Sequence, residues 1–245
     1  NHNLNLDLIY GLPGQRLKTW LDSVNKAIAL NPEHLSLYAL TLEDGTPMKR
    51  KIDRGLLTQL DPDQAADMYE AASERLTEAG FIQYEISNWA RNKNTDGLFS
   101  CSHNLQYWRN LPYLGIGAGA HGYINQYRTV DVNTPAEYIN KMKNVDFLTN
   151  KEKFPRTPAT IQSTFIDREA EIGETMMMGL RLVSEGVSAA QFSHRFGISL
   201  SDKFSAQIDR LRDFGLLEWT NEPDLRLRLT QKGYLLGNQV FKEFI

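Results

Sequence analysis

Four stretches of the sequence gather side chains that could do chemistry. The first is Asp7-Leu-Ile-Tyr-Gly-Leu-Pro-Gly-Gln15. A carboxylate inside an apolar strand is costly unless it is paired or bonds a ligand. Asp7 lies near the strand's C-terminal end, where α/β proteins build their sites; the plainer alternative is a buried Asp tied to backbone amides. The second, Glu43-Asp-Gly-Thr-Pro47, follows the next strand and by itself reads as a turn. The third, Ser102-His-Asn-Leu-Gln-Tyr-Trp108, joins an imidazole, two amides and two large aromatics in a loop. Imidazole is a common axial ligand of heme iron, and aromatic faces suit a flat macrocycle. A packed turn with a hydrogen-bonded histidine accounts for the same residues. The fourth, Gly115-Ile-Gly-Ala-Gly-Ala-His-Gly122, matches the dinucleotide-binding expression at Gly117, Gly119 and Gly122. That match is rejected, because Tyr123 to Val132 is polar and β-leaning where a helix is required. The glycines are read instead as letting the backbone approach a ligand closely.

The elements that must position these residues follow from periodicity. Asn3 to Tyr10 reads as a buried parallel strand, Leu17 to Ile28 as a helix with one apolar face, and Leu35 to Leu42 as a second strand. Together they make a βαβ unit. Asp61, Pro62 and Gln64 carry the residue types of a capped helix start. A third strand follows over Phe81 to Ile86, then polar loop over 91–104. Thr134-Pro135 opens another helix. Residues 147–167 have no clear period and read as a connector. Beyond it come helices near Ile172–Leu182, Ser188–Phe196 and Asp202–Phe214. A hairpin over Leu216–Thr230 and a closing helix from Gln231 complete a winged-helix layout.

The bulk numbers exclude some classes. The 245 residues carry a net charge of −3, which gives no global reason to bind nucleic acid or an anionic membrane. From Glu169 onward nine basic residues face eleven acidic ones, against the basic surface that DNA-binding modules carry. No stretch approaches the ~18 apolar residues of a membrane-spanning helix. The single cysteine, Cys101, allows no internal disulfide, which fits a reducing cytosol. It cannot hold an iron–sulfur cluster alone. Met176 to Met178 read as core filler, and His34 and His194 have no ligand-spaced partners. The first methionine is Met48 and a strand begins almost at once, so the chain is expected to be a fragment.

Taken together, these runs resemble a family. They are joined by Pro32-Glu-His-Leu-Ser-Leu-Tyr38, Tyr84-Glu-Ile-Ser-Asn-Trp89, Met178-Gly-Leu-Arg-Leu182, Arg195-Phe-Gly197 and Leu229-Thr-Gln-Lys-Gly233. The family is the oxygen-independent coproporphyrinogen III oxidase group of radical S-adenosylmethionine (SAM) proteins. The Glu85-Ile-Ser-Asn88 and His103-Asn-Leu-Gln-Tyr-Trp108 runs resemble its HemW branch. The resemblance implies an α/β fold: the C-terminal part of a partial (β/α)6 radical SAM barrel over residues 1–150, a connector over 151–167 and a small α+β winged-helix-like domain over 168–245. It also implies a [4Fe–4S] cluster whose three-cysteine loop would lie upstream of Asn1. By resemblance Asp7, Thr41 and, through its backbone, His121 contact SAM, while His103 falls in the heme-binding motif. Leu105 and Gln106 match positions on the substrate side of the oxidase. The implied function is that of a cytoplasmic heme chaperone, which binds heme and passes it to hemoproteins with SAM and the cluster regulating or powering transfer. The alternatives are a coproporphyrinogen dehydrogenase and, more remotely, a nucleic-acid-binding winged helix.

Overall fold

The computed structural model describes residues 3–59, 61–93, 97–143 and 154–245. Strands β1 (Asn5–Tyr10) and β2 (His34–Ala39) run parallel, joined by helix α1 (Leu17–Ala29). Trp20, Val24 and Ala27 recur at helical spacing and are buried. With Leu35, Leu37, Met68, Leu76 and Trp89 they form a first core. The Trp20 indole N–H donates to the Met68 carbonyl at 2.8 Å, tying α1 to helix α3 (Pro62–Glu78). Between β2 and α3, Pro47–Asp53 form helix α2, started by Thr46, whose hydroxyl accepts from the Lys49 N–H. The expected turn at Glu43–Pro47 therefore leads directly into a helix.

One expectation for the first sheet needs correction, and one strand is added to it. Strand β1 is covered on one face only: Leu6, Leu8 and Tyr10 face the core, while Asn5, Asp7 and Ile9 are exposed. Asp7 is therefore not a buried acid. The strand expected over 81–86 is β3 (Ile82–Glu85), and a further strand, β4 (Asn88–Ala90), follows it without having been expected. Strand β4 pairs antiparallel with β2, giving the order β1-β2-β4-β3.

The loop expected over 91–104 ends in helix α4 (Ser102–Trp108). About two turns with no side-chain cap at Cys101 leave little periodic signal. Strands β5 (His121–Ile124) and β6 (Tyr127–Asp131) form a hairpin, and helix α5 (Pro135–Met142) starts at Thr134 as the sequence predicts. The expected connector holds strand β7 (Thr160–Phe165), paired antiparallel with β6; residues 147–153 lie outside the described residues. Register with β6 sets this strand, since its own residues are half-exposed and mostly polar.

The C-terminal elements are α6 (Arg168–Gly179), β8 (Val187–Ser188), α7 (Ala189–Phe196), α8 (Leu200–Asp213), β9 (Leu217–Thr220), β10 (Arg226–Leu229), α9 (Gln231–Leu235), α10 (Gly237–Phe241) and a 3-10 turn, Lys242–Phe244. The closing helix is thus broken in two at Leu236. A small sheet of order β8-β10-β9 and these helices enclose a second core around Met176, Leu180, Phe192 and Leu227. Among the described residues no helix is long and apolar enough to cross a membrane.

Candidate functional site

Parallel register brings Asn5, Asp7 and Ile9 beside His34, Ser36 and Tyr38 on the uncovered face of the first sheet. This face lines a cleft of about 670 Å³, completed by Lys93, Cys101, Ser102 and Asn104. A chain of hydrogen bonds crosses its floor. The Asn5 amide donates to Asp7 Oδ1 at 2.9 Å, and Asn5 Oδ1 meets His34 Nδ1 at 2.6 Å. His34 Nε2 lies 2.8 Å from the Tyr84 hydroxyl, and the Cys101 N–H donates to that hydroxyl at 3.2 Å. The amide oxygen can only accept, so His34 Nδ1 carries the proton and Nε2 accepts from Tyr84. Burial favours this neutral form and pulls the His34 pKa below its ordinary value, while the Asp7 carboxylate pulls the other way and offsets part of the shift. Sequence spacing offers no sign of His34, because its partners lie 29 and 50 residues away.

Helix α4 carries the candidate heme residues. His103 is exposed and lines no part of the cleft, whereas its neighbours Ser102 and Asn104 do. Its Nε2 is 3.0 Å from the Tyr107 hydroxyl one turn on, and the two rings meet edge to face. Tyr107 in turn meets Tyr113 edge to face at 4.5 Å between ring centres. The Gln106 amide donates to the Pro112 carbonyl at 2.7 Å, and Leu105 is half-buried.

Thr41 lies two residues beyond β2, in a second cleft of about 490 Å³ that shares Tyr38 with the first and includes Arg181. His121 is exposed at the start of β5 and lines neither cleft. The glycine-rich stretch also needs correcting. A Cβ on Gly115 would stand 2.4 Å from the His121 carbonyl oxygen, and one on Gly122 would stand 2.8 Å from the Thr129 hydroxyl. These two glycines admit the protein's own chain rather than a ligand. Gly117 and Gly119 have positive φ and no atom nearer than 3.9 Å to the added Cβ.

Helix α6 joins these parts. Glu174 takes both guanidinium nitrogens of Arg128 on β6 at 2.9 Å, Thr175 accepts from the Asn110 amide at 3.0 Å, and Glu171 pairs with Arg195 on α7 at 2.5 Å.

The fold has a solved counterpart. Over 98% of this chain and 54% of the other, it superposes with a TM-score of 0.70 and 19% identity on a solved structure described as "Coproporphyrinogen III oxidase (HemN) from Escherichia coli is a Radical SAM enzyme". Residues 166–236 match the HemN C-terminal domain. Along nearly its whole length the chain is similar to HemW proteins. It is 38% identical to the heme chaperone HemW of Bacillus subtilis and 35% identical to that of Lactococcus lactis, over 99% of this chain in both cases. It is also 47% identical over 119 residues to the mouse mitochondrial radical S-adenosyl methionine domain-containing protein 1, covering 49% of this chain and 26% of that protein. The chain spans 59% and 58% of the two bacterial relatives' lengths.

Proposed function

We propose that this chain is the heme-holding portion of a heme chaperone, with SAM taken in the adjoining cleft and a hemoprotein as recipient. The observation that carries the reading is helix α4. One end of it closes the polar cleft through Ser102 and Asn104, while His103, Tyr107 and Tyr113 form an accessible aromatic cluster with an imidazole at its edge. A neutral imidazole supplies an axial nitrogen to iron, and the ring faces cover a porphyrin. Nε2 reaches iron only once the Tyr107 hydroxyl lets go, whereas Nδ1 can do so with that bond intact.

The residues of the two clefts fit SAM. The exposed Asp7 carboxylate suits an ammonium or ribose hydroxyls, and Thr41 offers a hydroxyl beside Tyr38. They do not fit the cluster, because one thiol, Cys101, cannot supply its ligands. A single cysteine and no disulfide agree with a cytosolic setting.

Heme titration followed by absorbance tests the reading. His103→Ala shifts the Soret band and weakens heme retention, while Cys101→Ser changes little. Loss of the heme spectrum in Cys101→Ser with His103→Ala intact transfers the ligand role to the thiolate.

A further inference from the structure

We propose that Arg181 is an anchoring site for a carboxylate of the ligand held in the Thr41 cleft, an inference that rests on the reading of that cleft as a ligand site. A guanidinium carries five N–H donors. Among the described residues none of those of Arg181 makes a hydrogen bond, and its Nε is buried without a partner. Its ionic neighbour among the described residues is Glu85, with Oε2 at 3.9 Å from Nη2, beyond hydrogen-bond reach. That oxygen is itself buried and unpartnered. The other, Oε1, is already taken by the Ser87 N–H and the Asn88 amide. Burial pushes the Glu85 carboxyl pKa up, which lowers the share of negative charge offered to Arg181.

The guanidinium is nevertheless held in place. It lies 4.4 Å from the ring centre of Trp108 on α4 and 5.8 Å from that of Phe241 on α10. Stacking on aromatic faces fixes the plane of the fork before any ligand arrives. The side chain keeps 24% of its surface and lines the cleft of about 490 Å³ with Thr41, Tyr38, Ser87 and Asn238. Among the described residues no second Lys or Arg lines this cleft. One planar fork without a second cation matches a singly charged, planar carboxylate better than a doubly charged phosphate. Such a group comes either from a propionate of the macrocycle or from the amino-acid end of SAM.

The test uses the whole chain and paired probes: hemin against hemin dimethyl ester, and SAM against methylthioadenosine, which lacks the amino-acid end. Arg181→Met weakens one carboxylate-bearing probe about tenfold or more and leaves its carboxylate-free partner unchanged. A loss confined to hemin assigns the propionate, and one confined to SAM assigns the amino-acid carboxylate. Should Arg181→Met fail to fold, Arg181→Lys keeps the charge without the fork, and a smaller loss on the same probe is expected. Hemin and SAM affinities unchanged in a folded variant overturn the proposal. Failure of the unaltered chain to bind either probe overturns the cleft reading, and the anchor falls with it.

Discussion

The imidazole of His34 and the phenol of Tyr84 meet at 2.8 Å inside the protein, each also bonded to a group from a different segment. Tyr84 holds the Cys101 N–H at the start of α4, and His34 holds Asn5 beside Asp7. The Asp7 strand and the His103 helix are thus wired through two buried side chains. Removing the ring in His34→Ala strands both neighbours and costs about 1–3 kcal/mol by urea unfolding. The same ring gives a pH dependence. Its pKa is lowered from 6.5 in the folded state, so the unfolded chain binds the proton more readily. Its contribution is complete above about pH 6.5 and is lost as pH falls from there through the folded value. Unfolding curves of His34→Ala should be flatter across that window; an identical pH slope would remove His34 as the cause.

Asp7 separates binding from folding. It is exposed, with its Oδ1 held by the neighbouring Asn5. Asp7→Asn should shift stability by no more than about 0.5 kcal/mol. Loss of the charge-assisted bond should weaken SAM by about tenfold in isothermal titration. Unchanged affinity with a lowered melting temperature would mean that the acid serves the fold alone.

Gly115 tests the other side of the site. Tyr113 and Tyr123 exchange two backbone hydrogen bonds at 2.7 and 2.9 Å, and the His121 carbonyl occupies the space where a Gly115 Cβ would stand. Gly115→Ala forces these chains apart at a cost of about 1–3 kcal/mol. Amide exchange at Tyr113 and Tyr123 should quicken relative to Trp89 in the first core; uniform protection would contradict the close approach.

Glu85 predicts the opposite pH slope to His34. Burial raises its folded pKa above 4.5, so the folded state binds the proton more tightly. Its favourable contribution is present below about pH 4.5 and is lost as pH rises through the folded value. Arg181 opposes the shift without cancelling it. Glu85→Gln should therefore match or exceed the parent's stability near pH 8 and lose that advantage below about pH 4.5. Greater instability of the Gln variant at high pH would show a net favourable Glu85–Arg181 pair.

The βαβ unit is legible because Trp20, Val24 and Ala27 repeat at one helical face between two strands. Thr134 and Ser188 announce their helices by the hydroxyl that accepts from the N–H three residues on. The polar face of β1 is written in the alternation of Asn5, Asp7 and Ile9 with Leu6, Leu8 and Tyr10, which the apolar run disguises. His34 is not legible, since only strand register reveals Asn5 as its partner. Arg181 is equally silent in sequence: its distinction is the hydrogen bonds it does not make. Strand β7 and helix α4 escape because one borrows its order from β6 and the other is seven residues long.

Helix α6 grips β6 through Glu174, the end of α4 through Thr175 and α7 through Glu171. All three lie within five consecutive residues of one rigid rod. A push on the C-terminal helices is therefore delivered to the His103 helix and the His121 hairpin as a common displacement, without changing the spacing between them. The first sheet shares in that displacement through the hydrogen bond from Cys101 to Tyr84 and through those from Ile86 to the Arg181 carbonyl and from Ser184 to the Tyr84 carbonyl.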